Sequence, residues 1–444
     1  MSKIERIMRK EYYRIKFTLT SPLSIGSRDN NRTDRDLILN SQNKPYIPGA
    51  AIAGVIRHAL SELYACPPQK IEAALGNVKK ATETNTAVEQ LESRIIFYDA
   101  ELESDVAAYM SVRDSVALDD FKTAKKGAKF DMEILEAGAR FCTYIEHNVY
   151  KEDPDLCPQI LAAFMDGMVA FGGKSMRGYG TIGDVQIGKR TFDLTNASNL
   201  ESWLQFDLFN ETKWDEFDGA ERLAQNKSIR LELKQKGAIS IRRYTTAVSR
   251  NNTDTQPDFE QLTVHEYEDQ KAESKDRNSI RIPVIPGTSW AGAFRHRMKE
   301  FGVEVSSEQS MFGHVSGGSE GVKKRSLISF SESRLRNAKE KVLSRNAIDR
   351  FSGGTKDGAL FTEKTYYGGN TDLVISWRGE RKMHENEKKA LAATIADLHY
   401  GLLAVGGATS IGRGLFTIER INDKPVTDEN VFQIALNQIE EMKI

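Results

Sequence analysis

Three groups of residues in this chain have types and spacings suited to chemistry. The first is a polar loop between Ile25 and Pro45, which carries Arg28, Asp29, Asn30, Asn31, Arg32, Asp34, Arg35 and Asp36. Several Asp side chains beside Asn offer oxygen ligands to a hard divalent cation. Such a cation stabilises charge in phosphodiester cleavage, and an Asp can alternatively move a proton. A solvated loop is the commoner origin of such a cluster, so these residues alone assign no reaction. A later stretch, SRNNTDTQPDF, offers Asp254 and Asp258 in a comparable setting.

The second group is a pair of glycine loops. Gly172-Gly173-Lys174-Ser175-Met176-Arg177-Gly178-Tyr179-Gly180 contains a Gly-Lys-Ser, and Gly406-Gly407-Ala408-Thr409-Ser410-Ile411-Gly412-Arg413-Gly414 keeps the glycines and an Arg-Gly. A nucleotide-hydrolase loop needs a further glycine at position 168, which is Met, and it follows a strand rather than a helix. That reading is excluded. Backbone N–H groups beside Lys174, Ser175 and Arg177, or beside Ser410 and Arg413, suit the phosphates of a nucleic-acid backbone. The alternative is that the glycines only let a helix and a strand pack closely. The third group is Arg57-His58 and Arg295-His296. The histidines are conceivable general bases, but a histidine without a partner is more often structural.

The elements that must position these groups occur twice. Ile47-Pro48-Gly49 and Ile285-Pro286-Gly287 each lead into a segment with Gly five residues after the first Gly and Arg-His three further on. Proline bars helix from the preceding residue and glycine permits a tight turn. Ile52, Val55, Ile56, Leu60 and Leu63 then fall at helical spacing. Other landmarks keep nearly the same separation: 285 − 47 = 238, 345 − 113 = 232 for the two Arg that open RDSVALD and RNAIDRF, 358 − 127 = 231, and 406 − 172 = 234. Four ordered landmarks near one offset indicate a tandem duplication. The boundaries expected are a first repeat over 1–190, a connector over 191–228, a second repeat over 229–421 and a helical tail over 422–444. The connector carries Trp203, Phe206, Phe209, Trp214 and Phe217, too many aromatic residues for a flexible linker, so it is expected to pack. Each repeat reads as βαββαβ: an α+β, ferredoxin-like (RRM-like) sandwich with insertions.

Composition narrows the function further. The 444 residues carry a formal net charge of −1, so a nucleic-acid site must be a local patch. Three widely spaced cysteines fit neither a usual zinc site nor a disulfide scaffold and suit a reducing compartment. The N-terminal residues lack the apolar run of a signal peptide, and no window approaches the ~18 apolar residues of a membrane helix. The expectation is a cytoplasmic protein with no membrane partner.

The Ile-Pro-Gly-x-x-x-x-Gly-x-x-Arg helix, the segment RDSVALDDFKTAKKGAKFDMEILEAGARF and the distal glycine loop together resemble the RAMP superfamily of CRISPR-associated proteins. The resemblance covers nearly the whole chain, twice, and is similar to fused backbone subunits of type III effector complexes, type III-D above all. It implies RAMP domains that line up along a guide RNA (crRNA), with a projecting thumb that kinks the guide–target duplex. It also implies other type III effector subunits as partners. In catalytic members a loop Asp upstream of Ile-Pro-Gly cleaves target RNA with a divalent metal, Mg2+ or Mn2+. Counting back from Ile47 places that residue at Asp34, with Asp36 the near competitor. In the second repeat Asp254 is the nearest analogue. The resemblance implies guide contacts at Arg28, Arg57, His58, Lys174, Ser175, Arg177, Arg295, His296, Ser410 and Arg413. Three functions stay open at this point: a guide-binding endoribonuclease of target RNA, a purely structural guide-binding subunit, and a guide-processing ribonuclease.

Overall fold

The computed structural model describes residues 6–27, 31–78, 90–103, 108–118, 124–152, 154–167, 169–217, 227–243, 257–267, 279–303, 311–315, 323–378 and 381–442. The chain divides into two compact units. Unit 1 is Met1–Ser111, Glu133–Ser175 and Tyr179–Ala224; unit 2 is Val112–Met132, Met176–Gly178 and Gln225–Ile444.

Unit 1 begins with strand β1 (Arg9–Leu19), followed by helices α1 (Gly49–Glu62) and α2 (Pro68–Leu75) and strand β2 (Ile95–Phe97). A two-stranded hairpin, β3 (Met110–Leu118) and β4 (Ala124–Leu135), of which Val112–Met132 belongs to unit 2, leads to β5 (Arg140–Val149), α3 (Cys157–Met165), β6 (Ile182–Asp193) and α4 (Ala197–Leu204). The sheet runs β6–β1–β5–β2, all antiparallel. Alternation in β1 explains its place at the centre. Tyr13, Ile15, Phe17 and Leu19 enter one buried cluster with Ile52, Ile56 and Leu60 of α1 and Ile160 and Phe164 of α3. Phe17 stacks on Phe141 of β5 with ring centroids 5.8 Å apart.

The opposite face of this sheet is covered by the aromatic connector. Asn196 caps α4 by accepting from the N–H groups of Ser198 (2.9 Å) and Asn199 (3.3 Å). Trp203 then donates its indole N–H to the Tyr12 hydroxyl at 2.9 Å. Phe206 packs on Tyr12, Phe209 on Tyr98 and Tyr144, and Trp214 on Tyr144, with the Arg14 guanidinium over the Trp214 ring.

Unit 2 continues with β7 (Ser228–Lys236), β8 (Ser279–Ile285), α5 (Gly287–Glu300) and β9 (Ile328–Phe330). The hairpin β10 (Lys339–Ile348) and β11 (Thr355–Tyr367) is followed by β12 (Asn370–Trp377), α6 (Glu385–Tyr400), β13 (Leu415–Ile421) and α7 (Val431–Glu441). Its main sheet runs β13–β7–β12–β9, the same order by position as in unit 1. The tail helix α7 belongs to this core: Val431, Ala435 and Ile439 are buried with Leu391, Ile395 and Leu398 of α6.

The repeats share backbone approaches as well as topology. Gly180 and Gly414 adopt φ of +70° and +72°, and a Cβ at either would lie 1.9 Å from a carbonyl oxygen, of Phe171 or Val405 respectively. Gly180→Ala is therefore expected to cost about 3 kcal/mol or more, whereas Gly127→Ala, at φ +73° with open space around it, should cost about 1 kcal/mol. Urea denaturation of the two variants measures the difference, and equal midpoints would contradict the clash.

Candidate functional site

The acidic loop of the first repeat is closed at its base by backbone pairing. The Ser27 N–H donates to the Asp36 carbonyl at 2.8 Å, and the Ile38 N–H to that of Ile25 at 2.9 Å. Within the loop, Asp36 is buried and fully engaged. Its carboxylate accepts from the N–H groups of Asn31 (2.8 Å), Arg32 (3.0 Å) and Thr33 (2.8 Å), and from the Thr33 hydroxyl (2.8 Å). Burial opposes the charge, but these donors outweigh it and hold the carboxyl at about 2. Glu133 of β4 anchors the loop from below, accepting from the Leu37 N–H at 3.0 Å and pairing with Arg32 at 2.9 Å. Asp34 stands exposed on this pinned frame, two residues from the buried Asp36. Arg28 lies outside the described residues.

The glycine loop lies alongside. The Gly173 N–H donates to the Ser24 carbonyl at 2.7 Å, on the strand side of the acidic loop. The Arg35 guanidinium packs flat against Gly173, where a Cβ would come within 2.7 Å of Nη2. Lys174 takes a left-handed φ of 58°, and its ammonium sits 5.9 Å from the Tyr179 ring centroid. Thus the acidic loop and the glycine loop of unit 1 meet where Arg35, next to Asp34, lies against Gly173, next to Lys174. Arg177 is exposed and belongs to unit 2.

Other expected guide contacts are placed differently. Arg57 is half-buried and donates through Nη2 to the carbonyls of Leu75 (2.9 Å) and Gly76 (2.8 Å). It closes the C-terminus of α2, where carbonyls lack helical partners, so Nη2 has a structural role there. Arg413 is buried and paired with Glu363, unlike the exposed position expected of a phosphate contact. Tyr179 occupies the matching position in the first repeat, also buried. His58 is exposed, Arg295 is half-buried, and His296 lies 3.5 Å from Glu300 one turn on. Ser410 is exposed in a loop where Ala408, at φ 57°, repeats the backbone of Lys174.

In the second repeat, sheet register matches a different acid to Asp34 than counting from Ile-Pro-Gly does. The Leu262 N–H donates to the Ile241 carbonyl at 2.7 Å, as Ile38 does to Ile25. The register offset is 262 − 38 = 224, and 34 + 224 gives Asp258. From Ile38 to Ile47 is 47 − 38 = 9 residues, but from Leu262 to Ile285 is 285 − 262 = 23, because an antiparallel pair of Thr263–Tyr267 and β8 is inserted. The Asp258 carboxylate accepts from the Thr362 N–H at 2.7 Å. Asp254 lies outside the described residues.

A second cluster, on the core side of the sheet, joins Glu11, His147 and Cys157, with their ligand-type atoms within 4.8 Å of one another. Glu11 and His147 are cross-strand partners, and Cys157 Sγ lies 3.2 Å from His147 Nδ1. The Glu11 charge is already satisfied by the Tyr13 hydroxyl (2.7 Å), Lys189 (3.2 Å) and Arg9 (2.9 Å). Burial pushes the Cys157 thiol well up, so the group reads as a hydrogen-bonded core network.

The model of the RAMP superfamily matches residues 16–182 and 268–417, once in each repeat and over more than half of the chain. The chain belongs to the RAMP superfamily. RAMP proteins bind RNA and act in type III CRISPR complexes. No curated protein matches the chain. Among the described residues, no helix of this RAMP protein is long and apolar enough to cross a membrane.

The state of Asp36 gives a testable pH dependence. Its folded value near 2 lies below the ordinary ~3.9 of an unfolded Asp, so its contribution is present above pH ~4 and is lost as pH falls through about 2. Asp36→Asn should lower the urea midpoint at neutral pH and flatten its fall between pH ~4 and ~2. Parallel acid profiles for wild type and variant would contradict the assignment.

Proposed function

We propose that this chain is a guide-RNA-binding backbone subunit of a type III CRISPR effector, of III-D type, that cleaves complementary target RNA at Asp34. Each repeat is taken as one ferredoxin-like RAMP domain, which the repeated strand order supports. The observation that carries the catalytic reading is the division of labour between two acids: Asp36 is consumed in holding the loop, and Asp34 is presented on it. A reactive group needs such a fixed support, because misplacement by about 1 Å is costly.

The guide backbone is assigned to Lys174, Ser175 and the N–H groups of the glycine loop, a local basic patch on a chain of net charge −1. Connector residues cover the sheet face of unit 1 on which bases would otherwise stack, which leaves the loop edge for phosphate contacts. The donor set fits a hard cation of the Mg2+ or Mn2+ kind: one exposed carboxylate, to which RNA phosphates would add the remaining oxygens. Bound there, the cation supplies charge stabilisation at the phosphodiester. The acid of Asp34 holds it, and Lys174 and Arg35 keep the RNA backbone beside that acid. The partners are crRNA, target RNA and the other effector subunits, in the cytoplasm.

Denaturing-gel mapping of target fragments from the reconstituted complex tests the catalytic assignment. Asp34→Ala should remove one cut, slowing it by about 100-fold or more, while the complex still assembles. Chelation of divalent ions should stop that cut in the wild type. An unchanged fragment pattern from Asp34→Ala would exclude Asp34, and intact target in the wild type would leave a non-catalytic guide holder. Lys174→Ala should also reduce the slope of log affinity against log salt by about 1, measured by filter binding with guide RNA.

A further inference from the structure

At the end of the second sheet away from its glycine loop, one arginine carries a charge that nothing offsets. Lys236 of β7 leads into Gly237, where a Cβ would lie 3.3 Å from the Gly412 carbonyl oxygen of that loop. The other end of β7 is Ser228, opposite Ser376 of β12. From Ser228 to Lys236 is 236 − 228 = 8 steps of ~3.3 Å, so the two ends lie about 26 Å apart. Arg378 follows β12 at this far end, and its N–H donates to the Leu327 carbonyl at 2.6 Å. Its side chain is half-buried, and Nε is enclosed with no hydrogen-bond partner. Burial, and then the like charge of Arg325, pull the guanidinium down to about 10, so it is still cationic at neutral pH. No carboxylate offsets it among the described residues. The acids at the start of α6 are already engaged. Glu387 accepts from Arg381 at 3.0 and 2.9 Å and from the His384 N–H at 2.8 Å, and Glu385 pairs with Lys388 at 2.7 Å. An enclosed cation without a counter-charge opposes folding.

The first repeat shows that the fold does not require this arrangement. Ser326 donates its hydroxyl to the carbonyls of Met311 and Ile328, as Ser93 does to those of Ala74 and Ile95. The Leu327 N–H reaches the Met311 carbonyl at 2.9 Å, as the Arg94 N–H reaches that of Ala74 at 2.9 Å. The Arg378 N–H then bonds to Leu327 where the Asn148 N–H bonds to Arg94, at 2.8 Å. Asn148 therefore matches Arg378. With 326 − 93 = 233, 92 + 233 = 325, so Glu92 matches Arg325. One backbone arrangement carries an acid and an amide in the first repeat and two guanidinium groups in the second. Arg325 is exposed, as is Lys324 before it, so the pair is reached from solvent. Two planar guanidinium forks exceed the charge of a single carboxylate and suit the several oxygens of a phosphate.

We propose that Arg378 and Arg325 form a phosphate-binding site at this end of the second repeat, separate from both glycine loops. Its ligand is a phosphate group, carried either as a diester in an RNA strand or as free phosphate. The site does not depend on cleavage at Asp34.

Melting of the full chain tests the site, in phosphate-free buffer and with added sodium phosphate, against sodium acetate at equal ionic strength. Phosphate should raise the wild-type midpoint as its concentration rises, and acetate should not. Arg378→Asn and Arg325→Glu place in the second repeat the residue types found at the matching positions of the first. One removes the unopposed charge and the other sets an acid beside it. Without phosphate both should melt at or above the wild type, by up to about 3 °C, and both should lose the response to phosphate. Filter binding of single-stranded RNA separates the two sources of phosphate. A salt slope of log affinity reduced by about 1 in Arg378→Asn assigns the ligand to an RNA diester, and an unchanged slope beside a wild-type phosphate response assigns it to free phosphate. An Arg378→Asn chain that melts below the wild type without phosphate, or does not fold, makes Arg378 a structural cation and overturns the site. Variants that keep the phosphate response, an equal rise with acetate, or no phosphate response together with an unchanged RNA slope overturn it as well.

Discussion

The architecture of each repeat depends on a single close approach, between the glycine that opens the first helix and the carbonyl of a neighbouring strand. At Gly49 and Gly287 a Cβ would stand 2.2 Å from the carbonyl oxygen of Phe97 or Phe330, so any side chain would push helix and strand apart. The preceding proline, at φ −57° or −61°, delivers the chain to this point in extended conformation. In the first repeat the Gly49 N–H, one of the unpaired donors of a helix start, is taken up by Asp99. Helix, strand and acid are thereby locked together. The loop that carries Asp34 must end at this fixed point, just as it begins at the fixed end of β1.

Between those anchors the loop is built inward from a carboxylate rather than outward from a hydrophobic core. Asp36 gathers three backbone N–H groups that a short irregular segment would otherwise leave without partners. Glu133 ties the same loop to β4, and Arg35 ties it to Gly173. A polar loop of this kind has little apolar area to bury, so charge-assisted hydrogen bonds do the work that packing does elsewhere. The cost is that residues with functional chemistry are used up in the frame. Arg57 and Arg413 are spent in the same way, one on helix-end carbonyls and the other on a buried acid.

The aromatic connector has a comparable effect on a larger scale. By lying over Tyr12, Tyr98 and Tyr144 it turns the free face of the first sheet into an interior. The cations of Arg14 and Lys10 are engaged with Trp214 and Trp203 rather than presented to solvent phosphates. What the fold leaves open in the first repeat is its loop edge, and both the acidic and the glycine loop lie there.

The sequence by itself determined the tandem duplication, the mixed α+β class, the Ile-Pro-Gly helices and the packing connector. Each is written in local signals: proline and glycine limit φ and ψ directly, and period-2 or helical spacing of apolar residues decides which face is buried. The acidic loop as a polar segment was also legible, and its distance from Ile-Pro-Gly is short in the first repeat. In the second repeat the inserted strand pair lengthened that distance, and sheet register is what matches Asp258 rather than Asp254 to Asp34. Tertiary structure alone decided which acid is frame and which is displayed, and which arginines are buried. Those outcomes are set by partners far along the chain, 18 residues away for Arg57 and 219 for Arg113. A side chain's type and spacing state what it can bind, but its partner is chosen only when the fold brings the two together.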